Sequence, residues 1–191
     1  MVRTLPGTTI EVDESRFAQG SVILDSLFLA GGLTLAQVSQ LTGLEPHMVQ
    51  NWVKRGFLPP PRDRRYNKDQ FCRLALINML RGCLRLDQVT ALLSYLNGSL
   101  AKESDDIIDD SALYVYVLRL ALWAEGEPLA SRGEWEARCR EVLADYQGPY
   151  PGARDKVAQG LRVILTAYAS NRLREVAQLL GRELWEGSEM G

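Results

Sequence analysis

The residues best suited to chemistry here are binding groups rather than catalytic ones. Gln50 and Asn51 stand side by side in a short stretch between Pro46 and Gly56. Each carries an amide that can donate and accept at once, the pattern that matches N6 and N7 of adenine. Lys54 and Arg55 follow directly, and Arg62, Arg64 and Arg65 come within ten residues more. Such side chains suit phosphate oxygens or guanine. His47 and Tyr66 flank the set. His47 is the single histidine of the chain. With no neighbouring Cys or His in sequence it is not read as a zinc ligand, and a phosphate contact is the use left to it. No Ser–His–Asp set, P-loop or nucleotide-binding glycine fingerprint is present, so no enzyme and no cofactor is expected.

Other clusters have simpler explanations. Asp105-Asp106-Ile107-Ile108-Asp109-Asp110 superficially resembles the magnesium motif of isoprenoid synthases, yet no second Asp-rich segment follows it. Capping of the next helix and a solvated loop account for it, and no metal is expected. Asn97-Gly98-Ser99 forms a glycosylation sequon, irrelevant in a cytoplasmic chain. Cys72, Cys83 and Cys139 are odd in number and widely spaced, so they give no disulfide framework and read as buried, inert thiols.

The elements that must position Gln50 and Asn51 are helical. A first helix carries Ile23, Leu27, Phe28 and Leu29 near one face and ends at Gly31-Gly32. Thr34 can cap a helix over Leu35–Leu41, Gly43 supplies a left-handed turn, and Pro46 opens the next helix. That helix turns Val49, Trp52 and Val53 inward, which leaves His47, Gln50, Asn51 and Lys54 outside. Gly56 stops it, and Pro59-Pro60-Pro61 forbids continuation. A short basic loop, Arg62–Tyr66, precedes a helix started by Asn67 and Asp69 and another over Leu86–Leu96. Positive φ is expected at Gly43 and Gly56. Residues 99–110 read as a linker. Ala112–Ala124 is apolar nearly all round and reads as a central buried helix. Ser131 and Glu134 form a capping box for a helix reaching about Tyr146. From Ala153 to about Trp185 a stripe of Leu161, Leu165, Leu173, Val176, Leu180 and Leu184 continues, with a break expected near Ser170-Asn171.

Length and charge set the frame. A chain of 191 residues, 46% hydrophobic and 24% charged, is an ordinary globular composition. No signal peptide or membrane span is read, so a cytoplasmic location is expected. The net charge of −2 hides a segregation. Residues 1–32 carry −2, residues 33–85 carry +6, and residues 86–191 carry −6. A basic block inside an acidic chain suits a phosphate-bearing partner.

The segment Leu33–Leu96 resembles the DNA-binding domain of the MerR family of regulators. The matching residues are Leu35-Ala36-Gln37-Val38, Leu41-Thr42-Gly43-Leu44, Trp52, Arg55-Gly56-Phe57-Leu58-Pro59, the basic residues before Tyr66, and Leu86-Asp87-Gln88-Val89. The resemblance implies a winged helix-turn-helix: two helices, a small basic wing and a buttressing helix pair. The chain also resembles an uncharacterised bacterial family with a MerR-like N-terminal domain and an all-helical remainder, a likeness that includes Ser104–Val117. Two features depart from MerR. The wing between Pro61 and Tyr66 is very short, and the C-terminal part does not read as one long dimerisation helix with a ligand site. Inducer binding and promoter untwisting are therefore not carried over. MerR relatives commonly have Arg and Tyr where this chain has Gln50 and Asn51, which implies a different base preference.

The expectation is an all-α protein in two parts. Residues 1–98 hold an N-terminal helix and a MerR-like winged helix-turn-helix domain, and residues 99–191 a C-terminal helical bundle for dimerisation or partner binding. Its function reads as sequence-specific, double-stranded DNA binding by a nucleoid-associated homodimer that regulates transcription. Gln50 and Asn51 contact bases; His47, Lys54, Arg55, Arg62, Arg64 and Arg65 contact phosphate; Tyr66 is divided between packing and phosphate. The alternative is a protein-interaction module that has lost DNA binding.

Overall fold

A computed structural model describes residues 1–97 and 107–188. Among them, eight α-helices and one two-stranded sheet make a mostly helical, all-α protein. No helix among the described residues is long and apolar enough to cross a membrane. The boundary drawn between residues 98 and 99, together with Asp105 and Asp106, lies outside the described residues.

The chain opens with β1 (Val2–Thr4) and β2 (Glu11–Asp13), paired antiparallel with Arg3 opposite Val12. A 3-10 turn over Glu14–Gln19 leads into α1 (Gly20–Leu27). Leu24 is the buried anchor of α1, and Leu29, read above as part of its inner face, is 85% exposed beyond the helix end. Then follow α2 (Leu35–Thr42), α3 (Pro46–Lys54), α4 (Lys68–Leu80) and α5 (Leu86–Asn97). The C-terminal helices are α6 (Asp110–Gly126), α7 (Arg132–Val142) and α8 (Ala153–Ser188).

Local chemistry sets most helix starts. Thr34, Asn67 and Ser131 each form a reciprocal capping box with Gln37, Gln70 and Glu134. Pro46 occupies the first turn of α3, where an absent N–H costs nothing. Gly43 (φ +68°) and Gly56 (φ +73°) both adopt the expected left-handed conformation.

The core centres on α4 and α6. Helix α4 buries Phe71, Cys72, Leu74, Ala75, Leu76, Ile77 and Leu80, and it touches α2, α5, α6 and α8. Helix α6 buries Leu113, Tyr114, Val117 and Ala121 against α8 as well as α4. Among these apolar neighbours Arg73 is only 1% exposed. Its Nη1 meets Oδ2 of Asp110 at 3.1 Å, and its Nε donates to the carbonyl of Phe57 at 2.8 Å. One carboxylate of the acidic cluster thus serves as the counter-charge of a buried guanidinium.

Helix α8 corrects an expectation. Its 36 residues run without the break predicted near Ser170-Asn171. Asn171 is buried, and its amide donates to the carbonyl of Met79 at 2.8 Å, so a polar residue that reads as a helix breaker is an anchor to α4. Cys83 is another correction: it is exposed, while burial pushes the Cys139 thiol up to about 11 and raises that of Cys72 further.

Gly7 ties the N-terminal loop to this core. Its φ is +70°, and a Cβ there would lie 2.0 Å from the carbonyl oxygen of Ala75 on α4. Gly56 has a similar φ but open space around it. Gly56→Ala is therefore expected to cost about 1–2 kcal/mol, the strain of a left-handed alanine. Gly7→Ala should cost clearly more, because the loop must leave α4. Urea unfolding of the two variants checks the ordering.

Candidate nucleic-acid interface

Helices α2 and α3 form a pair joined by Gly43-Leu44-Glu45. The end of α2 is tied down from outside the pair. Thr9 donates its N–H to Leu41 and its hydroxyl to Gln40, while the Asn78 amide bridges the carbonyls of Thr42 and Gly7, both at 2.9 Å. The terminal carbonyls of α2 are thereby satisfied, and the angle of the turn is held by α4 and the N-terminal loop.

Helix α3 buries Val49 and Trp52 and half-buries Met48 and Val53. His47, Gln50, Asn51, Lys54 and Arg55 are exposed along its outer side. Arg55 lies over the ring of Phe57, 4.5 Å from its centroid, so this cation is braced by an aromatic face.

Beyond α3 the chain is held by α4. Gln70 donates to the carbonyls of Pro59 (3.1 Å) and Pro60 (2.8 Å), and Arg73 to that of Phe57. The next residues form a hairpin. Arg62 and Arg65 exchange backbone hydrogen bonds at 3.1 and 2.8 Å, with Asp63 (φ +49°) and Arg64 (φ +61°) as its two turn residues. At its base Leu33 and Tyr66 exchange a second pair, at 2.8 and 2.7 Å, which joins the hairpin to the residue just before the α2 cap. The chains run so close there that a Cβ on Gly32 would lie 2.6 Å from the Tyr66 carbonyl oxygen.

Arg62, Arg64 and Arg65 are exposed on the hairpin, with one Arg65 N–H donated to the Gly32 carbonyl at 2.8 Å. Tyr66 leaves the set of phosphate contacts. It is 3% exposed and packed in the core, where burial raises its hydroxyl pKa. None of Lys54, Arg55, Arg62, Arg64 and Arg65 forms an ion pair among the described residues. Lys68, by contrast, is paired with Asp25 at 2.5 Å, and Arg73 is buried, so the basic block of residues 33–85 divides into used and unused charges. Sequence reading missed Gln70, Arg73 and Asn78, which position the site, and Asp63, a carboxylate among three arginines. Only the arginine within Phe71–Ile77, an otherwise apolar run, gave a local signal.

Comparison with known proteins covers this region. Residues 27–117 match the family model described as a domain of unknown function, DUF1836. The matched stretch runs from the end of α1 into α6, so it contains the helix pair, the hairpin and both partners of the Arg73–Asp110 pair. The chain is similar to an uncharacterised bacterial family. The uncharacterized protein YkrK of Bacillus subtilis (strain 168) is 29% identical over 91 residues, 44% of this chain and 39% of that protein. The chain thus spans about two fifths of the length of this curated relative. No solved structure matches.

The hairpin turn carries strain that can be measured. Two-residue hairpins with positive φ at both central positions favour Asn-Gly, and this chain places Asp-Arg there. Replacing Asp63 and Arg64 together by Asn and Gly should raise stability by about 1 kcal/mol, since the left-handed cost at Arg64 disappears. Chemical denaturation of the double variant checks it.

Proposed function

We propose that this protein is a sequence-specific, double-stranded DNA-binding transcription regulator of MerR-like, winged helix-turn-helix type, working on the nucleoid as a homodimer. The observation that carries the reading is the set of unpaired cations on α3 and the hairpin. Elsewhere arginines are largely matched to carboxylates: Arg3 with Glu125, Arg119 with Asp145, Arg138 with Glu141, Arg172 with Glu175. A cluster of guanidinium groups without carboxylate partners among the described residues is suited to phosphate, which supplies the counter-charge only on binding. In this reading α3 enters the major groove, Gln50 and Asn51 meet base edges, and the hairpin meets the backbone. His47 and Lys54 lie on the same outer side of α3 and contact flanking phosphates. The extended base that joins Leu33 to Tyr66 makes Arg62–Arg65 a minimal wing.

The second copy is assigned to the C-terminal part of α8. Leu161, Ile164 and Leu165 are fully buried in the chain's own core, while Leu173, Val176, Leu180 and Leu184 are 50–71% exposed. At about 100° per residue, Val176 returns to within about 20° of the buried Leu165, so the exposed stripe prolongs the core-facing one past the end of the chain's own core. In an antiparallel pair with its two-fold axis near Gln178-Leu179, Leu173 meets Leu184 of the second copy. The same exposed stripe favours the alternative, a protein-interaction module without DNA binding. Light scattering should give twice 21.4 kDa, and Leu180→Glu should return the monomer. A wild-type monomer at high micromolar concentration removes the homodimer.

DNA binding is tested by titration at several salt concentrations on a site selected from a random library. Gln50→Ala should cost about 1–3 kcal/mol on the selected site and much less on random DNA. Replacing Arg64 and Arg65 by Ala should weaken all sequences alike and make the log–log salt slope shallower by about 1.8 per protomer. An unchanged slope removes the hairpin from the interface. Absence of wild-type binding at low salt removes the regulator reading and leaves the interaction module.

A further inference from the structure

We propose that the groove between α5, α7 and α8 is a binding site for a small anion that joins a phosphate group to an apolar or aromatic body. It is independent of the DNA reading. The groove encloses about 660 Å³, within the range of small-molecule sites. Three guanidinium groups share one carboxylate there. Arg132 reaches Oε1 of Glu136 at 2.8 Å, Arg162 reaches the same oxygen at 3.2 Å, and Arg140 stands 3.9 Å from Oε2. Arg132, Glu136 and Arg140 are spaced four residues apart on α7 and so project on one side, toward Arg162 of α8. Hydrogen bonding from Arg132 holds the Glu136 carboxyl below its ordinary pKa, so it remains charged and occupies one guanidinium's worth of counter-charge. Asp155 also lines the groove, and one positive charge remains uncompensated among these five groups.

Part of the lining is of a different kind. Tyr95 and Val163 line the groove and are both exposed. The Tyr95 hydroxyl donates to Oε1 of Gln159 at 3.3 Å, and Lys156 adds a cation 5.8 Å from the Tyr95 ring. A guanidinium fork matches phosphate oxygens two at a time, and Arg140, held only at 3.9 Å and 68% exposed, is free to turn to a ligand. The same ligand would lay its apolar body on Tyr95 and Val163, which line the same groove.

Phenyl phosphate, inorganic phosphate and phenol, each titrated into the full chain by calorimetry, make the test. Phenyl phosphate should bind saturably and more tightly than inorganic phosphate, with phenol silent. Arg140→Gln, at an exposed position that leaves the fold intact, should weaken phenyl phosphate about tenfold or more, the loss of one charge-assisted hydrogen bond. Glu136→Gln should tighten it, because the competing carboxylate is neutralised. No saturable binding at millimolar concentration overturns the proposal, as does a Glu136→Gln variant that binds more weakly. Binding that survives Arg140→Gln but is lost when Arg64 and Arg65 are replaced by Ala also overturns it, since the probe then sits on the hairpin.

Discussion

A single buried guanidinium orders the architecture around the candidate interface. Arg73 sits in the middle of α4 among Phe71, Leu74 and Ile77, where an unpaired charge would be prohibitive. It is tolerable only because Asp110, at the start of α6, and the Phe57 carbonyl, just past α3, both come to it. Satisfying that charge therefore fixes two things at once: where α6 begins against α4, and where the chain leaves α3 for the hairpin. Gln70, one turn earlier on α4, extends the same hold to Pro59 and Pro60. Helix α4 acts as the frame on which the outward face of α3 and the hairpin are mounted.

The remaining charges follow a simple division. Where the protein needs cross-links between its own elements, opposite charges are spent in pairs: Arg3 ties β1 to Glu125 of α6, Arg119 ties α6 to Asp145, and Arg162 ties α8 to Glu136 of α7. The Arg119–Asp145 pair is exposed and worth little, while the other two are part-buried; all three set registers between elements. On α3 and the hairpin the cations have no such partners, and only Asp63 lies among the hairpin arginines. The potential there is left to act outward. In the α5–α7–α8 groove the matching is incomplete, with three arginines on one glutamate.

Helix α8 serves two environments along one axis. Up to Asn171 it is a core helix, closed on one side by α6 and α7 and pinned to α4 through Met79. Beyond Asn171 the helix runs past that core, and Leu173, Val176, Leu180 and Leu184 are half-exposed or more. A helix of this length in water is not sustained by propensity alone, so the exposed half gains its order from its rigid continuation of the buried half.

Helix limits around the candidate interface were legible from the amino acids because they depend on neighbours a few positions away. The caps Thr34 and Asn67, the Ser131–Glu134 capping box, the left-handed Gly43 and Gly56, and Pro46 at a helix start all act within one turn of chain. The inward phase of Val49 and Trp52, and hence the outward phase of Gln50 and Asn51, follows from the same local periodicity. Tyr66 could not be divided between core and phosphate on that basis, because its burial depends on its ladder with Leu33, more than thirty residues earlier. Asn171 looked like a break in α8 and is an anchor, since its partner, Met79, is 92 residues away. Arg73 counted as one more positive charge in a basic block until the fold placed Asp110, 37 residues on, beside it. The sequence by itself determined where the helices around the candidate interface start and turn, because hydrogen bonds and steric limits within a turn of chain decide that. Which charges are consumed internally and which remain to face a partner was decided only by the tertiary structure, because a charge is cancelled by whatever lies nearest in space.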